Sequence, residues 1–161
     1  MVTVIDLIET GRVNVNTPLD DGFTPLLCAI LTGSADCVEF LVRNGANVNI
    51  TTIGGDYDGV SALHYAIPDV SKMRILLSAG ADVNVTDPNG RTVLMEYLTR
   101  NYVVSEELVR LLAEYKFNFT ATNKSGCNHL TLLMAFANSA DTFDPELFIK
   151  SLKALGKHMD L

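Results

Sequence analysis

Apolar positions in this chain fall into short helical stripes separated by polar turns, and the stripes come in pairs. Residues 25–32 and 35–44 form the first pair, the second carrying Val38 and Leu41 on one face, three positions apart as helix neighbours are. A shorter stripe at 62–67 is cut at Pro68, because proline has no helical N–H to donate and its ring clashes with the preceding turn. Further stripes lie near 92–100 and 105–114. Asp144-Pro145 reads as the N-cap and first residue of a last helix ending at Gly156. On it Leu147, Leu152 and Leu155 are set to pack inward, with Lys150, Lys153 and Lys157 toward water. Residues 3–10 predict one more helix, with Thr3 and Asp6 in a capping-box relation and Gly11 at its end.

The pairs repeat. Four tripeptides, Val13-Asn14-Val15, Val48-Asn49-Ile50, Val83-Asn84-Val85 and Phe117-Asn118-Phe119, place their asparagines 35, 35 and 34 residues apart. A constant period of that size marks stacked supersecondary units. Leu41 to Asn49 aligns without gaps on Leu76 to Asn84. Upstream of each tripeptide a second block recurs, in which a glycine precedes a Thr or Ser that caps a short helix. It reads Gly22-Phe23-Thr24-Pro25-Leu26-Leu27, then Gly59-Val60-Ser61-Ala62-Leu63-His64, then Gly90-Arg91-Thr92-Val93-Leu94-Met95, and more weakly Gly126-Cys127-Asn128-His129-Leu130-Thr131. A second helix then ends at a glycine able to take the left-handed cap, and an extended hairpin follows.

Two different blocks recurring in one fixed order over essentially the whole chain resemble the ankyrin repeat, whose first helix carries Thr-Pro-Leu-His. The tetrads here are Thr-Pro-Leu-Leu, Ser-Ala-Leu-His, Thr-Val-Leu-Met and Asn-His-Leu-Thr, so only the leucine is common to all four. The last repeat has Glu114-Tyr115-Lys116 where its neighbours have Gly-Ala. The resemblance implies an all-α solenoid of stacked helix-turn-helix units with projecting β-hairpin loops. It implies one domain over 1–161: a half repeat at 1–17, repeats at about 18–50, 51–86 and 87–120, and a degenerate capping repeat at 121–161. Met159-Asp160-Leu161 falls where a fifth tripeptide would stand, which suits either a natural end or a piece of a longer repeat protein.

Composition narrows the function classes. Charge is −7, with 48% hydrophobic and 7% aromatic residues and no Trp. An acidic chain argues against nucleic acid as partner, since phosphate binding needs a basic surface. No apolar run of about 18 residues suggests a membrane span, and the first residues do not read as a secretory leader. The expected location is therefore intracellular, cytoplasmic or nuclear. Cys28, Cys37 and Cys127 are odd in number and lack CxxC spacing, so they read as buried or half-buried free thiols rather than a metal or redox site. His64 reads as a structural hydrogen-bonding histidine. His129 and His158 belong to no HExxH or Ser/His/Asp grouping, and Gly54-Gly55 lacks the Lys-Ser/Thr of a phosphate loop. We expect no catalytic residue, no metal and no cofactor.

A repeat stack works through its surface, so the expected function is non-catalytic binding of a partner protein. The longest break in the period is residues 50–59, where about four residues are gained in a hairpin loop. Gly54-Gly55 permits a tight turn, and Asp56-Tyr57-Asp58 offers an amphipathic ring between two charges. The same insertion also reads as a tolerated solvated loop, since loop extension costs little. The resemblance implies that partners meet hairpin tips and inner helices. Those positions are Asp20, Asp21 and Phe23, then Asp56, Tyr57 and Asp58, then Pro88, Asn89 and Arg91, with Arg100, Lys124 and Ser125 beyond. The face is expected to be acidic and aromatic at one end, suiting a basic-apolar segment, and mildly basic at the other. The resemblance further implies β-hydroxylation of Asn84 and Asn49, each with a Leu eight residues upstream. Two alternatives accompany the scaffold: a substrate-recruiting subunit of a ubiquitin ligase or host-directed viral or bacterial protein, and a regulatory or targeting domain of a larger enzyme. Four Asn-X-Ser/Thr sequons, at Asn49, Asn84, Asn118 and Asn123, follow from the repeat text and are read as coincidental.

Overall fold

The computed structural model describes residues 10–11, 14–18, 22–53, 58–99, 103–139 and 144–158. Among them the regular structure is all-α: eight helices, and no strand beyond two isolated antiparallel bridges, Thr51 with Ser61 and Thr86 with Thr92. The chain divides into two compact units, Met1–Asp82 and Val83–Leu161.

In the first unit, α1 (Pro25–Thr32) and α2 (Ala35–Arg43) form one pair, and α3 (Ala62–Ala66) and α4 (Val70–Ser78) the next. Three of these helices start where a side-chain oxygen satisfies an orphan N–H, whereas the expected cap Ser61 of α3 makes no such bond and its hydroxyl meets His64 Nδ1 instead. Thr24 accepts from the Leu27 N–H and Ser34 from that of Cys37, while Asp69 accepts from Ser71 and Lys72. Pro25 opens α1, where a missing N–H costs nothing. The helix before Pro68 is five residues long, as the proline dictates. α1 packs on α2 and α3, and α4 packs on α2 and α3. Leu26, Leu27, Leu63, Met73 and Leu76 fill the space between the two layers, each at most 1% exposed; burial of each contributes about 2 kcal/mol. Lys72 is also buried, and its ammonium donates to the Ile30 carbonyl at 2.7 Å. That carbonyl lies in the last turn of α1, where the helix lacks donors and favours a cation.

The second unit holds α5 (Val93–Leu98), α6 (Glu106–Glu114), α7 (His129–Ser139) and α8 (Pro145–Gly156). Thr92, Ser105 and Asp144 cap α5, α6 and α8. α5 packs on α7, and α8 on α6 and α7, around Leu94, Met95, Leu98, Leu111, Leu112, Leu133 and Leu155. One inward expectation fails: Leu147 is 39% exposed. The first turn of α8 is open, and burial begins at Ser151, Ala154 and Leu155. Lys150, Lys153 and Lys157 are exposed as expected. The expected helix at 3–10 and the final tripeptide lie outside the described residues, apart from Thr10.

The loops correct the register read from the tripeptides. Asn47 and Asn118 each turn their own loop, accepting the N–H two residues on from Asn49 and Thr120 at 3.0 Å, and Asn14 does the same for Asn16 at 2.9 Å. Asn16, Asn49 and Asn84 do something else: each reaches the following repeat. Their side-chain amides donate to the carbonyls of Gly45, Gly80 and Lys116, and their side-chain oxygens accept from the N–H of Asn47, Asp82 and Asn118. The text thus placed Asn14 and Asn118 in one series with Asn49 and Asn84, although the two kinds sit two residues apart in each loop. Lys116 settles the alignment of the last copy. It has φ 61, the only positive φ of a non-glycine among the described residues, and stands where Gly45 and Gly80 have φ 86 and 92.

Candidate functional site

The tips that connect the repeats are backbone turns held by side chains, and the two units hold theirs differently. In the first unit the loop after α2 is pinned at Thr52. Its N–H donates to the Val60 carbonyl at 3.0 Å, its carbonyl accepts from Gly59 at 2.9 Å, and its hydroxyl accepts from the Val60 N–H at 3.2 Å. Thr52 is 3% exposed, so the base of the loop is fixed and dry. Next to it Ile53 is 67% exposed, the most open of the large apolar residues described. The preceding tip lies against this one: a Cβ on Gly22, at φ +79, would stand 2.7 Å from the Ile53 carbonyl, so only glycine allows the approach. Phe23 is half-buried, with its ring centroid 6.2 Å from that of Tyr65 on α3. Asp58 is exposed. Asp20, Asp21, Asp56 and Tyr57 lie outside the described residues.

In the second unit Asp87 occupies the position of Thr52. It is buried and accepts from the N–H groups of Asn89 and Arg91 at 2.9 and 2.8 Å and from Arg91 Nε at 2.9 Å. Burial alone would raise its pKa, but the Arg91 backbone and side-chain hydrogen bonds, the Arg91 charge and the Asn89 amide outweigh it and hold the carboxyl below its ordinary value. Arg91 also reaches Glu96 Oε2 at 2.9 Å. Its guanidinium therefore lies between two carboxylates of its own unit, and its charge is neutralised there. Lys124 is exposed, yet its N–H donates to the Asn89 carbonyl at 3.1 Å and its ammonium to the Pro88 carbonyl at 2.5 Å. Pro88 and Asn89 are exposed. Arg100 lies outside the described residues. Arg91 and Lys124, expected to form a basic surface, thus each also hold a tip of their own unit.

His129 is the polar centre of this unit and the residue the sequence hid best. It is fully buried, with Nε2 2.9 Å from the Thr92 hydroxyl and Nδ1 2.9 Å from the Phe119 carbonyl. A carbonyl can only accept, so Nδ1 carries the proton and Nε2 accepts from Thr92. Thr92 in turn accepts from the Met95 N–H at the start of α5. Phe117 packs edge-on to the imidazole, and His158 stacks on Phe119. Burial lowers the His129 pKa to about 4, against a smaller raising effect of the Phe119 carbonyl. Its neutral form is a structural element. His64 is likewise structural in position, buried with Nδ1 2.8 Å from the Ser61 hydroxyl.

Chemistry is sparse elsewhere. Cys28 and Cys127 are half-buried free thiols, while Cys37 is exposed rather than covered. Among the described residues no three His, Cys, Asp or Glu side chains are grouped to hold a metal. Among the described residues no helix is long and apolar enough to cross a membrane. Asn49 and Asn84 are exposed, with both ends of each amide engaged in the inter-repeat bridges.

Residues 3–87 match the family model described as ankyrin repeats in three copies. Among curated proteins, the chain is 38% identical over 98 residues to the E3 ubiquitin-protein ligase KEG of Arabidopsis thaliana, covering 60% of this chain and 6% of that protein. It is 28% identical over 137 residues to the ankyrin repeat protein FPV031 of Fowlpox virus (strain NVSL), covering 82% and 39%. To the human ankyrin repeat and SOCS box protein 6 it is 30% identical over 115 residues, covering 70% and 27%. The matched region is thus well under half the length of each of these relatives.

Proposed function

The chain belongs to the ankyrin-repeat family, and from that premise we propose that it is a non-catalytic, intracellular module that binds a partner protein through its loop tips and inner helices. The observation that carries this is the tip after α2. Its base is locked by Thr52, Ile53 and Asp58 stand on either side of an insertion that includes Asp56 and Tyr57, and Phe23 belongs to the preceding tip. A rigid base beneath exposed apolar and acidic side chains presents contact area at low entropic cost. In the sequence Asp20 and Asp21 add two carboxylates just before Phe23, which suits a basic-apolar segment. Pro88, Asn89, Arg91 and Lys124 belong to a second group of tips, and Arg100 joins them as a candidate from the sequence alone. There Pro88 and Asn89 have the better claim to contact, because Arg91 and Lys124 already hold the loop. The test is affinity capture from the native cells with wild type and with Phe23→Ala/Tyr57→Ala. Loss of at least about tenfold in captured partner is expected. Unchanged capture by a variant with wild-type helicity rejects this surface.

A second reading is favoured by the names of two relatives, an E3 ubiquitin-protein ligase and a SOCS box protein. In it this segment grips the substrate for a ubiquitin ligase, or serves as the targeting part of a larger enzyme, with other modules elsewhere in a longer protein. Co-purification of ligase components with the full gene product, but not with residues 1–161 alone, supports that reading. Their absence from both samples supports the simple scaffold.

A further inference from the structure

The outer helices of the second unit enclose a cleft chemically unlike the tips. Between α6 and α8, Val104, Glu106, Lys150, Lys153, Ala154 and Lys157 line an open hollow of about 180 Å³. Small-molecule sites begin at roughly 300 Å³, so this space suits a single side chain. Its floor is apolar and firmly held. Val104 and Ala154 are buried, the Val104 N–H donates to Ser151 Oγ at 2.8 Å, and the same hydroxyl donates to the Leu147 carbonyl at 3.0 Å. Its rim is basic. Lys150, Lys153 and Lys157 follow one another at i, i+3 and i+7 on α8, and all three are exposed. The single carboxylate of the rim, Glu106, is shared by Lys157 at 3.6 Å and Arg110 at 3.4 Å. Lys150 and Lys153 form no ion pair with another described residue. In a chain of charge −7, a rim of three cations and one anion is the exception.

We propose that this cleft binds an acidic peptide segment of a partner protein. An apolar side chain of that segment sits on the Val104–Ala154 floor, and carboxylates on either side of it meet Lys150 and Lys153. The lysine stems extend the apolar walls while their ammonium groups stay in water. Charge alone would attract any polyanion. The floor selects a peptide, because a nucleic-acid backbone has no apolar side chain to place there.

The test is fluorescence polarisation of the full chain with a short fluorescein-labelled peptide of glutamates around a central leucine. Binding is expected at physiological ionic strength, stronger at low salt. K150E/K153E is expected to weaken it about tenfold or more, and replacing the leucine by serine to weaken it several-fold. Arg43→Ala, at an exposed position of the other unit, is expected to change nothing. Should the charge reversal impair folding, Lys150→Ala/Lys153→Ala replaces it, since both side chains are exposed. Equal binding by wild type and the lysine variants overturns the proposal. So does equal binding of the serine peptide or of single-stranded DNA of the same charge, either of which reduces the rim to a non-specific polyanion site. Self-association that K150E/K153E abolishes, without peptide binding, overturns it in favour of a second copy of this chain.

Discussion

Thr52 and Asp87 hold equivalent places in two loops and do the same job with different means. Thr52 uses one neutral hydroxyl and two backbone bonds to close a loop with four extra residues, leaving Ile53 and Asp58 pointing out of it. Asp87 uses a buried charge, which must be matched, and the match consumes Arg91 and, through it, Glu96. A loop closed by a carboxylate ties up the cation beside it, so Arg91 serves its own unit.

The largest test of this contrast is acid. His129 is held neutral with a pKa of about 4, while in the unfolded chain it takes up a proton near 6.5. The unfolded state thus binds more protons between those values, and stability is lost as pH falls from about 6.5 toward 4, by about 3 kcal/mol in all. Below that, the lowered pKa of Asp87 adds a further loss as pH falls through its folded value. Hydrogen exchange at descending pH should show residues 83–158 opening before residues 22–82. His129→Ala should cost that unit about 3 kcal/mol at neutral pH, through a cavity and two orphaned partners, and remove the first acid step. Simultaneous acid opening of both units would break the contrast.

Next in size, Asp87→Ala should destabilise by about 2 kcal/mol, because Arg91 and two backbone N–H groups lose their acceptor. Thr52→Val should cost about 1 kcal/mol. Denaturant midpoints compare the two, and equal losses would mean that the buried charge adds nothing. The smallest effect is at the junction after α6. Lys116→Gly should stabilise by about 0.5 kcal/mol, as relief from the left-handed conformation exceeds the added freedom of the unfolded glycine. Gly80→Ala, at the matching position, should go the other way by about 1 kcal/mol.

How much could be read in advance follows from how local each signal is. Helix starts at Thr24, Thr92 and Asp144 were legible because cap and helix lie within four residues of each other, whereas the caps Ser34 and Ser105 stand outside the repeated block. The short α3 was legible from Pro68. The asparagine register was not: Asn14 and Asn16, or Asn47 and Asn49, are the same residue in nearly the same text, and only the partner across the repeat tells them apart. His129 escaped because its partner Thr92 is 37 residues away, and a histidine at a helix start looks unremarkable alone. At the candidate site, the insertion at 50–59 was legible as a break in period. The exposure of Ile53 was not, because the break in period marks the loop and not which of its side chains stays uncovered. The self-neutralisation of Arg91 was equally hidden, since composition counts charges and not their partners.

The asparagine bridges carry a consequence for how such a chain changes over generations. Each junction is written in one side chain and two backbone groups: an amide that meets a carbonyl, and an oxygen that meets an N–H. The receiving residues differ, from Gly45 to Gly80 to Lys116, all at positive φ, and from Asn47 to Asp82 to Asn118. A copied or deleted segment therefore brings its own connector and finds a ready socket wherever the neighbouring loop keeps that left-handed residue. Lengthening or shortening the array by unequal recombination asks for no compensating change at the seam, and each new copy is free to diverge at its tip.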